Sequence, residues 1–351
     1  LLLLLLLLLL LLLLQSNSLL ANTEKSRIER CGFFCACSSS IVLVKVEPIK
    51  RGLKKMADQI VRALCLSGGI RILVCNASVL AREICALQQT SATASIALSR
   101  GLAGGALMGA LLKEGQRTAL KFEGNGPLRK MIIEADSDGA VRGCVGNPGA
   151  DLEAVNEKWN VAGLIGRAGF LTVSKDLGVG GRPYQGVVQL VSSEVGEDLA
   201  YYLTDSEQTP SAVGLGATLS EDGLIAVCGG FLVQALPKAD DGEIETIMAR
   251  IAELPALSGL LEDGGAEGVI RELFGDIPYT ILESHEIFFR CGCGVAKVEQ
   301  ALLTLGIDAL RDMRTKENGA EVSCEFCRKA YHLGVAELDA LIIQASEQSG
   351  C

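Results

Sequence analysis

Histidine is nearly absent from this chain, which holds only His285 and His332. That leaves little room for a Ser-His-Asp constellation, and none is visible. Aromatic residues make up 4% of the sequence, too few for a surface on which nucleobases stack. Positive charge is short as well: 32 Lys and Arg stand against 42 Asp and Glu, a net charge of -10. Nucleic-acid affinity rests largely on neutralising phosphates, so no nucleic-acid partner is expected. The glycine-rich Leu177-Gly-Val-Gly-Gly-Arg182 lacks the spacing of a phosphate-binding loop and reads as a flexible turn, so no nucleotide is expected either. The homopolymeric run Leu1 to Leu14 is shorter than the roughly 20 apolar residues a membrane-spanning helix needs.

A chain of 351 residues has room for about two domains. Residues 1–55 do not read as folded protein. Behind the leucine run, Lys25, Arg27, Arg30, Lys45, Lys50, Arg51, Lys54 and Lys55 outweigh Glu24, Glu29 and Glu47. The stretch resembles an organelle presequence, which predicts a plastid stroma or mitochondrial matrix destination, otherwise the cytoplasm, and no stable membrane association after processing. The chain opens on leucine, so the true start is expected upstream. Cys31, Cys35 and Cys37 fall in this stretch and would be lost with it. Of the thirteen cysteines, Cys65, Cys75, Cys85, Cys144 and Cys228 sit among Val, Ile, Leu, Ala and Gly. They read as buried small hydrophobes, and together they point to a reducing compartment.

From Met56 onward the pattern becomes regular. Asp58 to Leu66 is expected as a short helix ended by Ser67-Gly-Gly69, followed by a strand at Ile70 to Cys75. Val79 to Leu87 and Thr93 to Lys113 read as helices, the second rich in Gly and Ala and therefore closely packed. Thr118 to Glu123, Arg129 to Ala135 and Ala140 to Val145 form a meander. Strands at Phe170 to Ser174, Gln185 to Ser192 and Leu224 to Leu236 flank a helix at Val195 to Leu203. Without a strict βαβ rhythm the class is α+β. Past Pro237, short helices at Ile244 to Leu254, Ala256 to Leu261 and Glu267 to Phe274 read as a linker of modest stability. A strand from Tyr279 to Phe289 follows, then helices at Val295 to Leu305 and Ile307 to Arg314, a hairpin and a last helix at Val335 to Ala345. The expected divisions are a presequence at 1–55, a sheet-based core with packed helices at 56–236, a helical linker at 237–283 and a small C-terminal zinc-binding module at 284–346.

The chemistry concentrates in that module. Cys291-Gly-Cys293 and Cys324-Glu-Phe-Cys327 form a CxC and a CxxC separated by thirty residues. Residues i and i+2 of an extended segment face the same way, and a CxxC turn offers both of its sulfurs together. Four thiolates so paired close one tetrahedral zinc site, so Cys291, Cys293, Cys324 and Cys327 are predicted to hold one Zn2+ per chain. His332 is close in sequence, but four sulfurs already fill the site, and it is assigned a packing or surface role. Three functional classes fit the motif. It can be a constitutive zinc ribbon that serves interaction, a dithiol oxidoreductase, or a switch between thiolate and disulfide states. A thioredoxin-like CxxC opens a helix beside a βαβ unit, and this one is predicted between short strands. Magnitudes favour the switch. A domain of about 60 residues buries only about 60% of its unfolded surface. Structural zinc contributes roughly 10 to 16 kcal/mol, against about 5 to 15 kcal/mol for the whole stability of a typical domain.

Beside the cysteines, several segments resemble the 33 kDa chaperonin family of redox-regulated holdases. They are Phe122-Glu-Gly-Asn-Gly-Pro127, Tyr184-Gln-Gly-Val-Val188, Tyr201-Tyr-Leu-Thr-Asp-Ser-Glu-Gln-Thr-Pro210, Gly229-Gly-Phe231 and Leu305-Gly306. The resemblance runs from about Met56 to Ala345, and the N-terminal extension departs from the bacterial pattern. It implies an ATP-independent chaperone, not an enzyme, that is latent while the four cysteines hold zinc. Peroxide or hypochlorous acid would pair Cys291 with Cys293 and Cys324 with Cys327 on the family pattern, although geometry alone allows three connectivities. Zinc release, unfolding of the module and loosening of the linker would then offer apolar surface to unfolding client proteins. A homodimer is expected in the oxidised state.

Overall fold

Side chains that alternate between two buried faces organise the first strands. In the computed structural model, which describes residues 57–178 and 183–349, β1 (Gln59–Cys65) sends Val61, Ala63 and Cys65 into one apolar cluster and Ile60 into another. The helix expected over Asp58 to Leu66 is therefore a strand. A short run covered on both faces carries no polar stripe, and without one a period of 3.6 cannot be told from a period of 2. Ser67-Gly-Gly69 is a hairpin turn, with Gly68 at φ +76°, into β2 (Ile70–Asn76). The expected presequence and the thiols of Cys31, Cys35 and Cys37 lie outside the described residues, as do positions 179–182 of the glycine-rich turn.

Two sheets face each other. One has five antiparallel strands: β10 (Tyr279–Glu286), then β1, β2, β9 (Ile225–Ala235) and β8 (Ser211–Leu219). The other runs β11 (Phe288–Phe289), β5 (Ala140–Val145), β4 (Lys130–Asp136), β3 (Arg117–Gly124), β6 (Gly169–Asp176) and β7 (Tyr184–Gln189). Its pairs are antiparallel except β11 with β5. The expected meander and the later strands are present. β8 is an addition: its Gly214 and Gly216 dilute the strand signal, yet a Cβ at Gly214 would stand 2.3 Å from the Phe231 ring.

α1 (Ser78–Gln88) starts where the Asp58 carboxylate accepts from the N–H groups of Val79 and Leu80. α2 (Ala92–Gly109) runs between the sheets and touches strands of both. Its glycines replace side chains at the closest approaches. A Cβ at Gly105 would lie 2.4 Å from Ile133 of β4, and one at Gly104 would lie 2.6 Å from Leu199 of α4 (Val195–Asp205). The close packing expected of this helix is what the fold shows. A short α3 (Val161–Ile165) precedes β6.

The outer face of the five-stranded sheet carries a second interior. α5 (Asp241–Ala252) and α6 (Leu257–Phe274) cover it, setting Ile247, Leu261, Val269, Ile270, Leu273 and Phe274 against Val61, Ile72, Val74 and Phe231. Asp240 caps α5 by accepting from the N–H groups of Gly242 and Glu243 at 3.0 and 3.3 Å. The two helices expected over 256–274 form one element kinked at Gly265, whose φ of 61° and ψ of -162° break the helical run.

The expected strand from Tyr279 to Phe289 changes sheets midway. β10 pairs with β1, buried Ile287 donates its N–H to Asp58 O at 3.1 Å, and β11 joins β5. Beyond it, α7 (Val295–Leu303), α8 (Ile307–Asp312), the hairpin of β12 (Ala320–Ser323) and β13 (Ala330–Leu333), and α9 (Val335–Ser349) surround a small interior of their own. No helix among the described residues is long and apolar enough to cross a membrane.

Candidate metal centre

Each cysteine pair is delivered by a different device. β11 is pinned to the core by Phe288 N–H donating to Gly139 O at 3.0 Å and Arg290 N–H to Val141 O at 3.4 Å. That leaves the irregular segment Cys291-Gly-Cys293, whose first sulfur lies near Arg142 of β5, before α7 begins. Cys324 and Cys327 occupy the turn between β12 and β13. The turn is closed by Cys324 N–H donating to Lys329 O and Arg328 N–H donating to Cys324 O, both at 2.9 Å, with Arg328 at φ 60°.

The four sulfurs meet within 4.8 Å of one another. Cys291 Sγ lies 3.7 Å from Cys324 Sγ, and Cys293 Sγ lies 3.3 Å from Cys327 Sγ. Sulfurs held about 2.3 Å from a shared tetrahedral ion are about 3.8 Å apart, so the donor set fits such an ion. All four side chains are partly exposed, whereas Cys65, Cys75, Cys85, Cys144 and Cys228 are buried, as their apolar surroundings predict. A CxxC between two strands is also not the helix-opening dithiol of a thioredoxin-like exchanger.

Neighbouring groups differentiate the thiols. The Tyr331 hydroxyl donates to Cys293 Sγ at 3.0 Å, and this bond with those from the other thiols lowers the Cys293 pKa to about 7. Burial pushes Cys327 up to about 12 and raises Cys291 as well. Arg142 Nη1 stands 3.9 Å from Cys291 Sγ while its Nε donates to Glu134 at 2.9 Å. His332 is exposed and lies 3.6 Å from a Glu321 carboxylate oxygen, and His285 lies in β10, half-buried.

The CxxC turn rests on the six-stranded sheet and α1. Gln88 Nε2 donates to the carbonyls of Glu325 and Phe326, each at 2.7 Å, and Arg328 Nη2 donates to Gln88 Oε1 at 2.6 Å. Lys130 Nζ stands 3.1 Å from the Glu325 carboxylate, and the Arg142 guanidinium lies 4.2 Å from the centre of the Phe326 ring. The fold brings together the four cysteines expected from the sequence, while this surround has no counterpart in the expectations. An alternating strand pattern points Tyr331 inward, but no local signal joins Gln88 to a turn more than 230 residues away.

Residues 58–334 match the family model described as "Hsp33 protein". The 33 kDa chaperonin of Pelobacter propionicus is 66% identical over 286 residues, 82% of this chain and 94% of that protein. That of Geobacter sp. strain M21 is 48% identical over 294 residues, 84% of this chain and 99% of its own length. The crystal structure of the Thermotoga maritima 33 kDa chaperonin superposes with a TM-score of 0.76 at 35% identity, covering 83% of this chain and 99% of that one.

Proposed function

The chain belongs to the Hsp33 family, and from that premise we propose that it is a redox-regulated, ATP-independent holdase, latent when reduced and metal-bound and active when oxidised. The family is one of chaperones and not of enzymes, and its members bind non-native proteins. One observation supports the switch: four partly exposed thiols, drawn from two separate motifs, lie within 4.8 Å of one another.

We assign Cys291, Cys293, Cys324 and Cys327 as ligands of one Zn2+ per chain, since all-sulfur tetrahedral sites select thiophilic ions. When bound, the ion crosslinks the two motifs and so supplies folding energy that the module's small interior lacks. Oxidation acts on the sulfurs. Two thiols form one disulfide by giving up two electrons and two protons, which one hydrogen peroxide takes up to become two waters. Sulfurs so paired are no longer thiolate donors. The pairing of Cys291 with Cys293 and of Cys324 with Cys327 follows the family pattern.

Loss of the crosslink releases α7 to α9 and, through β11 and β10, the segment at 237–283. α5 and α6 would then uncover Val61, Ile72, Val74, Val227 and Phe231, an apolar sheet face fit for unfolding clients. Homodimerisation accompanies activation in this reading, and sedimentation of the reduced and oxidised forms tests it. An organelle destination rests on residues 1–55 alone, and sequencing the N-terminus of the protein recovered from its source tests it.

The deciding experiment oxidises the zinc-loaded protein while metal release and the aggregation of an unfolding client are followed together. About one ion per chain should leave as aggregation becomes suppressed. Equal suppression by the reduced, metal-bound form would exclude the switch.

A further inference from the structure

Gln88 is a buried polar residue with no part in the donor set of the metal centre. It is the last residue of α1 and only 2% exposed. Both ends of its amide are engaged, and every partner lies in or next to the CxxC turn: two carbonyls at 2.7 Å and the Arg328 guanidinium at 2.6 Å. Those carbonyls belong to Glu325 and Phe326, the two residues between the cysteines. They converge on one donor only while Cys324 and Cys327 keep the turn closed. Beneath the turn lies Cys144 of β5, 2% exposed, with Glu325, Lys130 and Arg328 as its charged neighbours.

We propose that Gln88 is the positioning residue of the switch, a latch that recognises the closed CxxC turn and holds the C-terminal module against β4 and β5. Latency then depends on this docking and not on metal occupancy alone. The inference rests on the redox-chaperone reading. Two features separate a latch from ordinary packing. Two of the three partners of Gln88 are backbone carbonyls, so those two contacts report the shape of the turn whatever its side chains. The contacts are also lost together: once the turn rearranges, the carbonyls regain water, while the amide stays in its buried site without partners until that site opens. Such an element has two states, closed or open, which a switch requires. The Arg142 contact with Phe326 and the Lys130 pair with Glu325 border the latch and reinforce the same docked position.

The test uses the full chain, reduced and zinc-loaded, as wild type, Gln88→Ala and Gln88→Glu. The latter keeps the side-chain length but sets an acceptor against two carbonyls. A brief pulse of N-ethylmaleimide followed by mass spectrometry measures Cys144 exposure, metal content is measured on the same samples, and client aggregation is followed in parallel. Losing at least the two hydrogen bonds to the turn carbonyls should raise Cys144 labelling at least about tenfold while the metal stays bound. Aggregation suppression should appear without oxidant. Cys75, Cys85 and Cys228 should stay unlabelled, which distinguishes undocking from unfolding. Should both Gln88 variants fail to fold, Glu325→Lys places two like charges together at an exposed position and should raise labelling about two- to threefold. Adding Lys130→Glu should restore protection.

Wild-type protection of Cys144 in metal-bound Gln88→Glu would overturn the latch. Simultaneous loss of the metal in that variant would overturn it too, because Gln88 would then support the cluster itself. If wild-type protein, oxidised and stripped of metal, leaves client aggregation unchanged while Gln88→Glu exposes Cys144, the chaperone reading falls and the latch stands.

Discussion

Forty-three buried apolar residues fill the space between the two sheets, whereas eight form the interior of the module beyond Gly294. The larger interior is closed by a buried helix with glycine at its tightest contacts, so its stability comes from area removed from water and from close packing. The smaller one gathers Val298, Leu302, Leu310, Tyr331, Leu333, Leu338, Leu341 and Ala345 beside four sulfurs. At this size burial alone is marginal, and in the proposed reading a crosslinking ion would supply the remaining folding energy. The thiols of the larger region are buried away from oxidant, whereas the four beside the smaller one are partly exposed.

Stripping metal from the reduced protein with a chelator is the largest perturbation of that contrast, since it withdraws roughly 10 to 16 kcal/mol of apparent folding energy from one region only. Amide exchange should accelerate throughout α7 to α9 and stay slow in α2 and β9. A module that remains protected without metal would break the comparison. Next in size, Leu102→Ala, at a fully buried position of α2, should cost the core about 2 to 5 kcal/mol in denaturant titration and leave metal content unchanged. If metal affinity falls with it, the two regions are not independent.

A finer test concerns the ion's surroundings. Tyr331→Phe removes the hydroxyl that donates to Cys293 and should weaken metal affinity about tenfold, read by competition with a chromogenic chelator, while the module stays folded. Unchanged affinity would reduce Tyr331 to packing. The smallest effect belongs to the seam between the regions, where Arg290 donates to Asp138 Oδ2 at 2.8 Å and so holds that carboxyl below its ordinary pKa of 3.8. A depressed folded pKa contributes stability that is present above the ordinary value and lost as pH falls through the lowered one. Asp138→Asn should therefore lower the thermal midpoint slightly at pH 7, by an amount typical of surface pairs, under about 1 kcal/mol, and the difference should close in acid. A gap that widens in acid would refute the assignment.

The cysteine side of this contrast was legible because its signal is local: CxC and CxxC mark the four sulfurs that the fold brings together, and the short strands around the second motif show in the pattern. The α+β class, the meander and the glycine-rich helix were legible for the same reason. β1 was not, since burial on both faces erases the polar stripe that period-based reading depends on. The covering role of α5 and α6 was hidden as well. Their charged, broken sequence reads as a linker, and only the apolar face of β1, β2 and β9 shows what Ile247 and Phe274 pack against. Gln88 meets the CxxC turn through backbone carbonyls, which no side-chain pattern records.

The five buried thiols lie at three depths. Cys144 sits under the CxxC turn, and Cys65 sits under α5, within 3.9 Å of Glu243. Cys85, Cys228 and Cys75 point at successive turns of α2, toward the carbonyls of Ser95, Ser99 and Ala103. The chain thus carries its own stratigraphy. In one labelling time course, the order in which these sulfurs surface dates the lifting of the module, the peeling of the covering helices and the parting of the sheets, with no foreign probe installed.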